Sequence, residues 1–256
     1  MDNVTLSDIL HNGRCKIYPD GKTVYLVSSR SVFRERGWEA RRKISSFAAD
    51  ASEGESVENS EASSVARSQR RARSMLRDYA LANTDFRYFV TLTLSPKAID
   101  RYDINAIMRT VNGWLDNRVR RKGLKYILVP EHHKDGAIHF HGLVNDALRL
   151  VDSGFKGEHT VFNIPEWRYG YTTAIELYGE REKAVGYVCK YIGKQTEKIG
   201  GRWYYSGGQL KKPDVALFDV DYELVKNSFS HEGAFIAAEL NCEMISFTDI
   251  VFKDFR

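Results

Sequence analysis

The stretch Pro130–Val144, PEHHKDGAIHFHGLV, constrains the fold more than any other part of the chain. Lys134-Asp135-Gly136 is a turn signal, so the segment is predicted to be a strand end, a short turn and a second strand. Side chains alternate across a strand, which sets His139 and His141 on one face and Ile138 and Phe140 on the other. Two imidazoles two residues apart on one face are placed to hold a single metal ion. The competing reading is a pair of ordinary histidines on a half-exposed strand.

A second stretch, Ala184–Lys194, reads AVGYVCKYIGK. On a helix, Tyr187, Lys190, Tyr191 and Lys194 share a stripe about 100° wide. Val185, Val188 and Ile192 form a neighbouring apolar stripe that can pack on a sheet. The helix is thus expected to present two phenols and two ammonium groups outward from a buried seat. The plainer alternative is a pair of amphipathic tyrosines at a core margin, with the lysines in water.

A strand of the Phe-Thr-Leu-Thr type, Phe89–Leu94, precedes both stretches. With His139-Phe140-His141 and Tyr187-Val188-Cys189-Lys190 it completes an ordered set that resembles the HUH endonuclease superfamily, specifically the rolling-circle replication initiators of phage or plasmid type. Tyr191 extends the last motif to Tyr-x-x-Lys-Tyr, similar to the two-tyrosine initiators of small single-stranded DNA phages. The resemblance covers roughly residues 86–206 and leaves 1–64 and the last fifty residues uncovered.

That resemblance implies an α+β fold: a ferredoxin-like (RRM-like) core, an antiparallel sheet with helices on one side, and N- and C-terminal additions. It implies nicking of single-stranded origin DNA by a tyrosine, giving a 5′-phosphotyrosine and a free 3′-OH, with rejoining at termination. Tyr187 is expected to make the first cut and Tyr191 a second, each with a lysine one turn away, Lys190 and Lys194. A phenol with a pKa near 10 is a poor nucleophile at pH 7, so a Lewis acid and a cation are needed. His139 and His141 leave a metal site incomplete; Glu131, on the neighbouring strand, is the expected third ligand, with His132 and His133 as competitors. A His₂Glu set also suits zinc; it is the resemblance that implies Mg²⁺ or Mn²⁺.

The remaining chain sets the context. Residues 14–28 alternate around Pro19-Asp20-Gly21, a hairpin signal. Gly21-Lys22-Thr23 lacks the glycine five residues earlier that a phosphate loop needs, Lys16 standing there, so no P-loop ATPase or helicase module is expected. Residues 47–66 are acidic and rich in Ser and Ala, and read as a solvated linker. A helix at about 64–82 carries Arg67, Arg70, Arg71, Arg73 and Arg77, a phosphate-binding surface for DNA. Between about 103 and 122, Ile104, Ile107, Met108, Val111, Trp114, Leu115 and Val119 sit at helical spacing, with Asp103 as N-cap and Gly123 as stop. Arg118, Arg120, Arg121 and Lys122 suit the C-terminal dipole of that helix. A strand pair is expected within 161–177 and a last core strand at 202–206, so 88–206 reads as βαββαβ with an insertion.

Four segments follow: 1–46, an N-terminal hairpin and basic region; 47–66, the linker; 67–206, the nuclease domain; and 207–256, an extension packed on it. The net charge of +4 is modest, so basic groups must cluster to matter. Three scattered cysteines, Cys15, Cys189 and Cys242, suit a reducing compartment, and there is neither an apolar run of membrane-spanning length nor a signal-peptide pattern. The expected setting is the cytoplasm of a bacterial host, and the expected partners are single-stranded origin DNA, with a hairpin, and the host helicase and polymerase, with no membrane. Competing readings are an HUH transposase or relaxase, a non-catalytic ssDNA- or RNA-binding module, and a zinc hydrolase using water as nucleophile.

Overall fold

A strand that is apolar at successive positions must be covered on both faces, and Tyr126–Val129 is such a run. The computed structural model describes residues 9–31, 33–34, 57–155, 157–177, 181–229 and 244–247. In chain order the elements are β1 (Leu10–His11), β2 (Gly13–Ile17), β3 (Thr23–Ser28), β4 (Phe33–Arg34), α1 (Val57–Ala82), β5 (Tyr88–Leu92), α2 (Ile104–Lys122), β6 (Tyr126–His132), β7 (Ile138–Val144), β8 (Val151–Asp152), β9 (Val161–Asn163), β10 (Thr172–Glu176), α3 (Arg181–Lys194), β11 (Tyr205–Gly207), β12 (Asp214–Phe218), α4 (Tyr222–Phe229) and β13 (Met244–Phe247). They divide into two units, Ser56–Lys212 and the pair Met1–Glu55 with Pro213–Arg256.

The larger unit is built on a seven-stranded sheet of order β11-β6-β7-β5-β10-β9-β8, antiparallel at every junction. The α+β class and the antiparallel sheet expected from sequence are both observed. The run β6-β7-β5-β10 has the second-third-first-fourth order compatible with a ferredoxin-like core, and α2 makes the crossover from β5 to β6. Unlike that plan, α3 follows β10, and β11 closes the far edge beside β6.

The helices do not lie on one side, as expected, but on both. Ile107, Val111, Trp114 and Leu115 of α2 join Val90, Leu92, Leu128 and Phe140 in one buried cluster. The opposite face carries Phe89, Ile127, Val129, His141 and Leu143, and there α3 packs on β6 and β7, backed by α1. Ile127, Val129 and Leu143 are fully buried, each burial contributing roughly 1.5–3 kcal/mol, and a one-sided arrangement would leave them in water.

Local signals place the elements. The Asp103 side chain accepts from the Ala106 amide at 3.0 Å at the start of α2, and Gly123 ends the helix in the left-handed region at φ 67°. Helix α1 starts at Val57, so residues 57–66, expected to be linker, are helical. Acidic residues are favoured in the first turns of a helix, where their pattern is the same as that of a solvated linker; residues 47–56 lie outside the described residues. No helix among the described residues is long and apolar enough to cross a membrane.

The smaller unit contains the expected N-terminal hairpin, β2 with β3, turning at Gly21 with φ 82°. Residues 207–256 were expected to extend the 67–206 domain; instead β12 pairs with β2 and β13 with β3, giving a sheet of order β12-β2-β3-β13. The division falls at 212/213, where the sequence carries only Pro213 as a marker.

Gly142 sets the closeness of the central strands. A Cβ there would fall on the Ile127 carbonyl and 2.9 Å from the Leu128 Cα, both backbone atoms that cannot turn aside. Gly142→Ala is therefore expected to cost about 3 kcal/mol, at the upper end for overpacking, measured as a lowered urea midpoint. An unchanged midpoint would refute the close approach.

Candidate active site

The β6–β7 register pairs Glu131 with His139 and Val129 with His141, so Glu131, His139 and His141 share the face that α3 covers. His141 Nε2 lies 3.2 Å from Glu131 Oε2. Its Nδ1 lies 3.1 Å from Thr91 Oγ1, brought opposite by the β5–β7 register. Glu131 Oε1 accepts from the Lys194 ammonium at 3.2 Å. The His139 ring is 6.5 Å from that of His141 and stacks on His133 at 4.8 Å.

Among the described residues no three His, Cys, Asp or Glu side chains are gathered to hold a metal ion. The nucleus of such a site is the Glu131–His141 pair. Its 3.2 Å separation is close to the distance between two ligands that each lie about 2.1 Å from a shared ion. A threonine hydroxyl both donates and accepts, so Thr91 can hold His141 in the tautomer with Nε2–H facing Glu131 or in the one that leaves Nε2 bare. The donor set thus fits a divalent cation, with His139 as the further group on the same face. The competitors are otherwise engaged. His132, the next residue along β6, points away from Glu131 and its Nδ1 contacts the Gly136 carbonyl at 3.1 Å; His133 contacts Asp135 at 3.2 Å.

Burial holds His141 down to about 4, against the opposing pull of the Glu131 charge. Burial also lowers His139, helped by the neighbouring His133. Both are neutral imidazoles at pH 7, the form that binds metals.

Helix α3 carries the phenols to this face. The Tyr191 ring lies flat on His141, with centroids 4.2 Å apart and planes 5° from parallel. Its hydroxyl donates to the Tyr187 oxygen at 2.9 Å. Tyr187 is 49 % exposed and Tyr191 only 6 %, so the stripe expected to face outward is split. At 100° per residue, Tyr191 lies about 90° from the Val185–Val188–Ile192 seat, Tyr187 about 130° and Lys190 about 170°, which grades them from the sheet to solvent. Burial, then the bond to Tyr187, raises the Tyr191 pKa, so this phenol stays protonated as the donor. The Tyr187 ring meets the edge of Phe89 at 5.4 Å.

The two lysines are not equivalent. Lys194 pairs with Glu131 and lies 4.8 Å over the Tyr191 ring. Lys190 is exposed and bonds to no described residue. Arg67, Arg70, Arg71, Arg73 and Arg77 are all exposed on α1, which runs beside α3: Gln69 donates to the Ile192 carbonyl, and the Arg73 carbonyl accepts from Cys189 Sγ at 3.8 Å. Thr91 and Phe89 belong to the Phe-Thr-Leu-Thr strand but have no role that the sequence reading assigns; their parity with His141 across β5 and β7 is the signal that finds them.

With divalent ions chelated, His141 makes stability depend on pH. Its folded pKa of about 4 lies below the unfolded value of about 6.5, so the unfolded chain binds more protons between the two. Stability is expected to be full above pH 6.5 and to fall by at most ~3 kcal/mol as pH drops through 4. His141→Gln should remove that part of the slope in urea unfolding at stepped pH; identical slopes would refute it.

No curated protein and no solved structure matches the chain. Residues 87–196, from the start of β5 past the end of α3, match the family model of replication-associated proteins of the ORF2 and gene 2 protein type. Thr91, Glu131, His139, His141, Tyr187, Lys190, Tyr191 and Lys194 all lie inside that span, so the part of the chain that holds the candidate site is similar to replication-associated proteins of this type.

Proposed function

We propose that the chain is a rolling-circle replication initiator, a metal-dependent endonuclease and strand transferase that nicks single-stranded origin DNA with a tyrosine. The observation that carries this reading is the stack of Tyr191 on His141, which seats the exposed Tyr187 hydroxyl beside the Glu131–His141 pair. Mg²⁺ or Mn²⁺ held by Glu131, His141 and His139 would polarise a non-bridging oxygen of the scissile phosphate.

The Tyr187 oxygen attacks phosphorus and gives up its proton to solvent. The P–O3′ bond breaks, and the 3′-oxygen leaves to become a 3′-OH. Tyr191 donates to the attacking oxygen and so stabilises the phenolate form of Tyr187. Lys190, one turn beyond Tyr187 and uncommitted, meets the phosphate charge. The ester bond is exchanged rather than hydrolysed, so rejoining needs no ATP. With the two phenol oxygens 2.9 Å apart, a phosphate within reach of one is within reach of the other. That supports Tyr191 as the second nucleophile, acting at termination once it is freed from His141. The arginines of α1 would track the DNA backbone. Duplex opening and synthesis fall to a host helicase and polymerase in the bacterial cytoplasm. The distance of His139 from the Glu131–His141 pair favours one alternative, a non-catalytic ssDNA-binding module.

The test is incubation with labelled candidate origin strands and Mn²⁺, followed by a denaturing gel. A covalent band on the fragment with the new 5′ end is expected. Tyr187→Phe should abolish it, whereas Tyr191→Phe should still nick but fail to release unit circles. A cut without adduct would point to a water nucleophile and a zinc hydrolase; no cut at all, across many origins, to the binding module. Transfer of the cut end to a target strand would mark a transposase or relaxase.

Thr91→Val removes the partner of His141 Nδ1 while keeping shape. Calorimetric titration should show Mn²⁺ affinity about 10–100-fold weaker. Unchanged affinity would exclude His141 as a ligand.

A further inference from the structure

On the α2 side of the sheet, away from the histidine face, lies a cavity of about 510 Å³ lined by Trp114, Arg118, Arg149, Glu166, Arg168 and Tyr169, with Pro165 between them. That volume is in the range of small-ligand pockets. The wall is aromatic: Trp114 meets Trp167 edge-on at 5.2 Å, and Trp167 meets Tyr169 at 5.1 Å. The Trp114 indole donates to the Glu166 carbonyl at 3.0 Å, which fixes the β9–β10 connection against α2. Arg118 lies 5.5 Å over the Trp114 ring, with Nη1 3.6 Å from Glu166 Oε1. The helix dipole alone does not account for these contacts.

Two features ask for an occupant. Arg118 Nε and Glu166 Oε2 are buried and have no hydrogen-bond partner, a donor next to an acceptor. Buried polar atoms are normally paired. At the rim, Arg149 and Arg168 are exposed and bond to no described residue. Arg118 and Glu166 offset each other's charge, so these two leave the cavity net positive. A bare phosphate would answer the guanidiniums but meet the Glu166 carboxylate. A nucleotide unit answers everything: the base edge offers a donor beside an acceptor, aromatic walls suit its faces, and its phosphates fall to the rim arginines.

We propose that this cavity is a second nucleic-acid site, which takes one base and its flanking phosphates from a strand outside the cleavage position. The proposal rests on the reading of the chain as DNA-acting, and not on the nicking chemistry. A free nucleotide offers the same chemistry, so both sources are assayed.

Full-length protein is titrated in EDTA, where no cut occurs, with a labelled single strand of about 30 nucleotides across a salt series. Arg149→Gln with Arg168→Gln is expected to weaken binding about tenfold at about 0.1 M salt and to make the slope of log K against log salt shallower by about 1.4, two phosphates' worth. Arg120→Gln with Arg121→Gln, an equal loss of exposed charge at the end of α2, should change affinity less than twofold. Equal weakening by both pairs, or none by the first, overturns the proposal. So does a result in which mixed deoxynucleoside triphosphates bind in a way that needs Arg149 and Arg168 while strand binding does not. The adduct assay on the same preparations separates the two readings: loss of the adduct with the slope change intact removes the nicking reading alone, and an intact adduct with an unchanged slope removes the cavity alone.

Discussion

The pairing register of β6 against β7 is the constraint on which the rest of the larger unit depends. It sets Glu131 opposite His139, and with the β5 register it sets Thr91 opposite His141. A slip of one residue would turn every one of these side chains to the other face. Such a slip would bury imidazoles against α2 and expose Phe140, which is fully buried. The apolar residues on both faces of these strands therefore fix polar chemistry they do not touch. Gly142 contributes by having no side chain, letting the β6 backbone come close just after the histidines.

On that face the groups are linked in series. Thr91 holds His141, His141 supports the ring of Tyr191, and Tyr191 holds the oxygen of Tyr187. Three of these side chains are largely buried or sheltered and only the last is open to solvent. The exposed phenol is thus positioned by a sequence of shielded contacts, where hydrogen bonds and charges act at lower effective dielectric than in water. Lys194 belongs to the same system through Glu131, and Lys190 stands outside it.

Much of this was legible in the sequence because short-range rules govern it. Alternation placed Ile138 and Phe140 inside and the two histidines together; helical spacing found the stripe of α2, and Asp103 and Gly123 marked its ends. What was not legible depends on long-range packing. Nothing local tells which face of a sheet a helix will cover, although the unbroken apolar run Tyr126–Val129 required a cover on each side. The stripe on α3 was correct as geometry, but its outward aim was not, since Tyr191 sits at the edge of the apolar seat and turns inward. The pairing of β12 with β2 joins positions some two hundred residues apart, which no local pattern encodes. Arg118 looked complete as a helix-end cation, and only the return of the chain at Glu166 gave it a second setting.

The separation along the chain of the paired groups also bears on how the site comes into being. Glu131 and His141 are joined across one hairpin, ten residues apart, whereas Tyr191 reaches His141 from fifty residues away. Closing the longer loop costs about 1.4 kcal/mol more in chain entropy, and contacts of short separation form sooner. The carboxylate–imidazole half is therefore a product of local chain folding, while the phenol half depends on a helix docking onto a sheet already made. Cation ligation and nucleophilic attack thus reside in parts of one surface that become structured at different stages.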